Sequence, residues 1–402
     1  MKIVSYKSFL NAIALYSRKY FFCRVCLLMM ICASFFSCSR ERGTCLFGNY
    51  KAETLLIKNS AITQLESQDY NIKIETHLSD SLSSAFVCDK MKYDGGYYFL
   101  LENGKHQTIW VFDSAGNYIS KLGEKGRAKN EYQTDITDWF FIPDKGEVFV
   151  FEKDSRKIHV FSIDGRYIET RALESYPNAI GALEDGKIFC SYYHKEAKDG
   201  IQLGLLNKDE TVIRNFINLK SNMQIVPTDH SFYVNQNRLF HVPSFADSAI
   251  VFHKDSVQKV VRFDFQDKFI PGDLKKEVYN GESENFHRFN GISYIETYYE
   301  TSRFHYIKYV LAGVYVNHLV DKRKGKQYHF VSNLTKGLLP GSALCVRDNK
   351  LLFLVTKQNV DDIRQFITPE EYRHALSESD EIIRKIFRNE ETLPLILSIE
   401  IK

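Results

Sequence analysis

Two stretches of the chain decide the fold: IWVFDSAGNYISKLG, residues 109–123, and IHVFSIDGRYIETRA, residues 158–172. Aligned on Gly116 and Gly165, they share Phe, Gly, Tyr and Ile at the same positions, 49 residues apart. Each reads as a strand, a tight turn that ends in Gly, and a second strand, because Gly supplies the positive φ that such turns need. The repeat therefore predicts hairpins that recur along the chain.

Further hairpins surround these two. Segments with a polar turn between two apolar strands begin at Met91, Phe140, Ala182, Tyr233 and Cys345. Together the hairpins form a four-stranded unit of about 45–50 residues, which predicts an all-β fold, a six-bladed β-propeller of four-stranded antiparallel blades. A β-sandwich is the competing architecture, but it has no fixed period of this length. The six units span about residues 84–127, 134–174, 178–220, 226–266, 291–335 and 340–402.

Composition agrees with a globular β protein. Apolar residues make up 44% of the 402 residues and charged residues 26%, which excludes a disordered chain, a collagen-like repeat and a multi-span membrane protein. The 24 Tyr and 30 Phe, against 8 Pro, favour strands over helices.

The two ends of the predicted propeller should meet. The strand NIKIETHLS, from Asn71, has no unit of its own, and the C-terminal strand LPLILSIEIK ends the last unit. We expect them to pair and close the ring, because closure removes two free sheet edges.

Two insertions interrupt the strand pattern. Residues 267–290 are polar and could form a short helix, and residues 361–391 predict a helical insertion in the last blade. Thr368 and Glu371 form a capping box around Pro369. The insertion either packs on the last blade or covers one face as a lid.

The N-terminus predicts export. Residues 1–24 hold five basic residues and no acid, and an uncharged apolar run, residues 25–36, follows. This run is too short for a spanning helix and is typical of a secretory signal. The pair Ser37-Cys38 resembles the bacterial lipobox, although Phe35 stands where that motif usually has Leu. A plain signal peptide or a single anchor helix is the alternative.

These patterns predict the organisation of the chain. Residues 1–37 are a lipoprotein signal peptide, 38–66 a tether, and 67–402 the propeller, with Cys38 as the site of lipidation. The expected location is the cell envelope, on the periplasmic side or the cell surface. Cleavage before Cys38 removes the five basic residues, and 48 basic against 50 acidic residues then remain. Nothing in this balance indicates a nucleic-acid partner.

Residues 109–132 resemble the repeated core of the six-bladed β-propeller lipoproteins of Bacteroidetes, an NHL-like or TolB-like family that is largely uncharacterised. The resemblance spans about residues 70–402, and it implies this fold, export, and kinship to NHL-type binding propellers. The chain departs from the family's Gly-Pro-Gly loop at residues 128–130. The matching residues are Val111, Phe112, Asp113, Gly116, Leu122, Gly123, Gly126, Glu131, Tyr132 and Asp135.

The candidate binding surface is a cluster at one blade junction: Glu131, Tyr132, Asp135, Asp138 and Trp139. Aromatic and acidic side chains together suit a glycan, a peptide or a protein partner. A Trp buried between blades is the alternative reading. We therefore predict a binding or scaffolding module, anchored to the membrane through its lipid, with no catalytic residue and no required cofactor.

A calcium-dependent hydrolase or lyase with a site in the central channel is the alternative function. Some six-bladed propellers are calcium-dependent lactonases or esterases that hold the ion in the central channel, and oxygen ligands suit Ca²⁺. The acids and amide near inner-strand starts are Asp135, Asp138, Asp229 and Asn178. The spacing of the cysteines indicates no metal site, and Cys88 and Cys190 read as buried thiols.

Overall fold

The computed structural model describes residues 50, 52–57, 62–64, 69–79, 86, 88–102, 107–128, 130–183, 187–192, 201–218, 232–243, 245–279, 284–331, 345–366, 368–377, 379–389 and 391–402. These residues form six antiparallel four-stranded blades around a central axis, which confirms the predicted propeller. Three strands precede the first blade in the chain: β1 (Ala52–Leu56), β2 (Ile62–Gln64) and β3 (Tyr70–His77).

The blades follow one another along the chain, and each begins with its innermost strand. Blade 1 contains β4 (Cys88–Asp94), β5 (Tyr97–Glu102), β6 (Thr108–Asp113) and β7 (Tyr118–Leu122). Blade 2 contains β8 (Ile136–Ile142), β9 (Glu147–Glu152), β10 (Lys157–Ser162) and β11 (Tyr167–Ala172). Blade 3 contains β12 (Ala179–Gly181), β13 (Lys187–Ser191), β14 (Ile201–Asn207) and β15 (Val212–Asn218).

The second half of the ring repeats this order. Blade 4 contains β16 (Tyr233–Asn235), β17 (Arg238–His241), β18 (Ser248–His253) and β19 (Ser256–Asp264). Blade 5 contains β20 (Ile292–Glu300), β21 (Phe304–Leu311), β22 (Val314–Asp321) and β23 (Gln327–Val331). Blade 6 contains β24 (Cys345–Arg347), β25 (Lys350–Val355) and β26 (Leu395–Ile401), and β3 completes it.

The repeated glycine turns have the geometry that the sequence predicts. Gly116 and Gly165 adopt φ of +84° and +88° in the turns between the third and fourth strands of blades 1 and 2. At Gly116 an added Cβ would lie 2.2 Å from the His77 carbonyl oxygen, so glycine is also needed there for the close contact with blade 6.

The ring closes as predicted. The N-terminal strand β3 pairs antiparallel with the C-terminal strand β26, from Tyr70 opposite Ile401 to His77 opposite Leu395. The last blade thus contains strands from both ends of the chain. The inner edges of β3 and β26 are both paired.

The segment expected to be a tether differs from that expectation. Strand β1 pairs parallel with the outer strand of blade 4, and β2 pairs parallel with the outer strand of blade 5. Residues 52–57 and 62–64 therefore belong to the rim of the propeller. Ile57 is fully buried against blade 4, and Glu53 lies 2.7 Å from the Lys259 ammonium. Polar outward residues hide this pairing in the sequence.

Helices occupy the predicted insertions. Between blades 4 and 5 lie α1 (Gly272–Tyr279) and α2 (Glu284–His287). Within blade 6 lie α3 (Lys357–Phe366), α4 (Pro369–Ser377) and α5 (Glu381–Phe387), so the helical insertion begins at 357, slightly earlier than expected.

The capping box at the start of α4 is present. The Thr368 hydroxyl accepts from the Glu371 amide, and the Glu371 carboxylate accepts from the Thr368 amide at 3.0 Å. Ile383, Ile386 and Phe387 of α5 pack into one core with strands of blade 6. These contacts support the packed interpretation of the insertion over the lid.

The core lies between neighbouring blades rather than at one centre. One cluster joins blades 1 and 2 through Phe99, Val111, Trp139 and Phe141, all of which are buried. Aromatic side chains fill the wedge between twisted sheets, which explains the high Tyr and Phe content.

Candidate functional site

Among the described residues, the innermost strands of all six blades line the central channel, where one cavity of about 20 Å³ has room for one water molecule. The lining residues include Lys92, Asp94, Trp139, Tyr233, Tyr299 and Val346.

A buried ion pair crosses this channel from blade 1 to blade 2. The Lys92 ammonium donates to Asp138 Oδ1 at 2.6 Å and to the Trp139 carbonyl oxygen at 2.6 Å. The side chains of Lys92 and Asp138 are 12% and 1% exposed. The ammonium also lies 4.9 Å from the centre of the Trp139 ring. Burial lowers the pKa of Lys92 to about 8, although Asp138 opposes the shift.

Two further charges lie beside this pair. Lys90 donates to the Thr137 carbonyl oxygen at 2.7 Å, and its ammonium lies 3.7 Å from Asp138. Burial raises the pKa of Asp94, at the end of the same strand, to about 6. Local sequence patterns do not reveal this group, because Lys92 and Asp138 are 46 residues apart and belong to different blades.

The five predicted site residues do not form one surface. Asp138 and Trp139 lie on the inner strand β8, and Trp139 is fully buried. Glu131, Tyr132 and Asp135 lie in the connection between blades 1 and 2, outside the channel. The alternative reading of Trp139, a side chain buried between blades, is therefore the correct one.

Within that connection, Glu131 and Tyr132 hold the backbone in place. Tyr132 is fully buried, and its hydroxyl donates to the Leu122 carbonyl oxygen. Glu131 accepts from the Ala128 amide at 2.7 Å, which stabilises the loop that lacks the Gly-Pro-Gly of related sequences. Asp135 pairs with Lys125 at 2.5 Å and is largely exposed.

This loop borders an open concavity. It measures about 530 Å³ and is lined by Lys125, Gly126, Arg127 and Gln133.

The channel residues do not fit a calcium ion. Asp138 faces the ammonium groups of Lys90 and Lys92, which take the position that a cation would need. Asp135 is paired elsewhere with Lys125, and Asp229 lies outside the described residues. Within the described ranges, no three His, Cys, Asp or Glu side chains converge to hold a metal.

The described cysteines are free thiols. Cys190 and Cys345 are buried, whereas Cys88 is half-buried. In the part of the chain that the structure describes, no helix is long and apolar enough to cross a membrane.

Comparison with protein families matches residues 72–385 to a domain of unknown function, DUF4934. The chain belongs to the DUF4934 family. The match covers most of the propeller, from β3 into the last helix. No curated protein matches this DUF4934 sequence.

A solved structure shares the architecture of this DUF4934 protein. It is described as a putative exported protein from Bacteroides fragilis, and it superposes with a TM-score of 0.70 at 15% identity, over 88% of this chain and 100% of that one. At this identity the likeness concerns the fold. A member of the DUF4221 family from Bacteroides vulgatus gives a TM-score of 0.46 at 10% identity, over 84% and 99% of the two chains.

Proposed function

We propose that this DUF4934 protein is exported, anchored to the cell envelope through a lipid on Cys38, and acts as a non-enzymatic binding or scaffolding module. The observation that carries the binding role is the narrow central cavity between the described residues, which at about 20 Å³ is far smaller than the several hundred Å³ of a usual ligand pocket. We therefore place the partner on the outer surfaces of the ring, where the concavity beside Lys125 and Arg127 measures about 530 Å³.

The location rests on the first 38 residues. Their basic start, short apolar run and Ser37-Cys38 pair favour export and acylation. The Bacteroides fragilis protein of the same fold, which is described as a putative exported protein, is consistent with this assignment. The expected partners are the membrane, through the lipid, and a glycan, peptide or protein on the surface of the ring.

The anchor is tested by feeding an alkyne analogue of palmitate to bacteria that export the whole chain. We expect wild-type protein to carry the label and to sediment with membranes, and Cys38→Ser to lose both properties. Unlabelled wild-type protein would contradict the anchor.

The non-enzymatic role is tested with purified protein and a panel of lactones and carboxylic esters, with and without EDTA. We expect no turnover above that of the free buffer. Hydrolysis that EDTA abolishes would contradict the proposal and would favour the calcium-dependent enzyme.

A further inference from the structure

Blades 1 and 2 differ at one repeated position in their outer halves. Trp110 of β6 and His159 of β10 are equivalent, since each follows the repeat offset of 49 residues. In both blades a glutamate at the end of the second strand accepts from the ring nitrogen. Trp110 Nε1 donates to Glu102 at 2.7 Å, and His159 Nε2 lies 2.9 Å from Glu152.

In blade 2 the side chains of His159 and Glu152 form hydrogen bonds within the blade. Thr170 lies 2.9 Å from His159 Nδ1, and the Tyr167 hydroxyl donates to Thr170 at 2.9 Å. Glu152 and His159 are buried, so this relay stabilises the blade and leaves no polar group for a ligand.

In blade 1 the same positions are less buried, although Trp110 also packs edge-on against the buried Phe86 ring, 6.5 Å away, beside the core between blades 1 and 6. The Trp110 ring is half-buried, and the Tyr118 ring lies 5.8 Å from it with 41% of its surface exposed. The Lys121 ammonium lies 5.5 Å from the centre of the Trp110 ring and donates to the Glu124 carboxylate at 3.2 Å.

We propose that four side chains, the blade 1 aromatic patch, bind a saccharide: Glu102, Trp110, Tyr118 and Lys121. This inference rests on the proposed binding function and gives it a ligand class. The axial C–H groups of a pyranose pack on exposed aromatic faces, which bury apolar area without a deep pocket. Glu102 accepts from sugar hydroxyls, whereas Tyr118 and Lys121 donate to them.

The size of the patch favours a sugar over a folded protein. A stable protein interface needs about 800 Å² on each partner. Two partly exposed aromatic rings supply only a fraction of this area, which is enough for one or two pyranose rings. The polar groups beside the aromatic rings, Glu102 and Lys121, match the hydroxyls of a pyranose better than they match an apolar peptide side chain.

Tryptophan fluorescence gives a direct readout, because the chain has only two Trp and Trp139 is fully buried in the channel. The probes are cellohexaose, maltohexaose, polygalacturonate and chondroitin sulfate, with linear sorbitol as the polyol that cannot stack. We expect at least one oligosaccharide to change the emission in a saturable manner, and Trp110→Phe to lose this signal.

Variants separate the patch from other surfaces. Tyr118→Ala should weaken binding, measured by calorimetry, by about tenfold or more, and Tyr118→Phe should restore most of it through stacking. Tyr315→Ala is the matched control, because Tyr315 is 39% exposed on blade 5, far from the patch in the ring. Circular dichroism confirms that each variant is folded.

Two outcomes would overturn the inference. If none of the probes binds, the patch is not a saccharide site. If a probe binds equally well to wild type and Tyr118→Ala, the sugar occupies another surface, and the proposed binding function still stands. Failure of the lipid-labelling experiment, by contrast, bears on the anchor and leaves the patch assignment unaffected.

Discussion

The Lys92–Asp138 ion pair gives the sharpest prediction for stability. Asp138→Ala removes the carboxylate 2.6 Å from an ammonium that is only 12% exposed. A buried charge that loses its partner costs about 3–5 kcal/mol. A second way for the folded protein to respond is to deprotonate Lys92, which limits the cost. Keeping a lysine of ordinary pKa, about 10.4, neutral at pH 7 costs about 4.6 kcal/mol. We expect the free energy of unfolding to fall by about 3–4 kcal/mol at pH 7.

The destabilisation should shrink as the pH rises. Burial already lowers the pKa of Lys92 to about 8 in the folded protein, so the ion pair exists mainly below that pH. At pH 9, keeping a lysine of ordinary pKa neutral costs about 2 kcal/mol. An unpaired Lys92 can therefore lose its proton at a smaller free-energy cost than at pH 7. The loss in Asp138→Ala should therefore be smaller at pH 9 than at pH 7.

Urea unfolding followed by circular dichroism measures both quantities. Asp135→Ala is the matched control, because Asp135 pairs with Lys125 at 2.5 Å but is 67% exposed. Exposed pairs contribute about 0–1 kcal/mol. The reasoning is refuted if Asp138→Ala costs no more than this control, or if its cost is the same at both pH values.

Other predictions follow from separate parts of the fold. Burial raises the pKa of Asp94 to about 6, so its contribution to stability falls as the pH rises from about 4 to 6. Since the Asp94 side chain is only half-buried, Asp94→Asn should stabilise the protein by about 1 kcal/mol at pH 7 and not at pH 3.5. Equal changes in stability at the two pH values would contradict this prediction. Ile57→Ala should lower the free energy of unfolding by about 2–4 kcal/mol and speed hydrogen exchange in β1. Unchanged exchange would show that this strand does not depend on Ile57. Thr368→Ala should lower the stability of the helical insertion by about 1 kcal/mol, measured by hydrogen exchange of the α4 amides. Unaltered exchange would exclude a capping role for Thr368. EDTA should leave the melting temperature unchanged, and a drop would indicate a bound metal.

The fold was predictable because its signals are local and repeated. A Gly turn between two aromatic strands recurs in the stretches around Gly116 and Gly165, and each hairpin needs no knowledge of distant residues. Ring closure by β3 and β26 followed from a single unpaired strand at each end of the pattern. The capping box at Thr368 was equally local.

The rim strands and the channel were not predictable in this way. Strand β1 is mostly exposed and lacks the alternation of a half-buried strand, so its pairing with blade 4 depends on contacts that only the assembled ring provides. The pairing of Lys92 with Asp138 joins neighbouring blades and has no signature along the chain.

The predicted candidate residues do not form one surface. Glu131, Tyr132 and Asp135 lie in the connection between blades 1 and 2, whereas Asp138 and Trp139 lie on the inner strand β8, where Trp139 is buried between these blades. Composition marked Trp139 as one of two Trp, yet exposure, which decides ligand contact, distinguishes Trp110 from it. Burial is set by how neighbouring blades pack, and spacing within one blade does not encode it.

Intact mass spectrometry of the protein extracted from membranes tests directly whether this propeller is exported and anchored by a lipid. We expect a mature chain that begins at Cys38 and carries acyl groups, with the wild type in the membrane fraction. A chain that retains residues 1–37, or one that begins elsewhere without a lipid, would contradict this expectation.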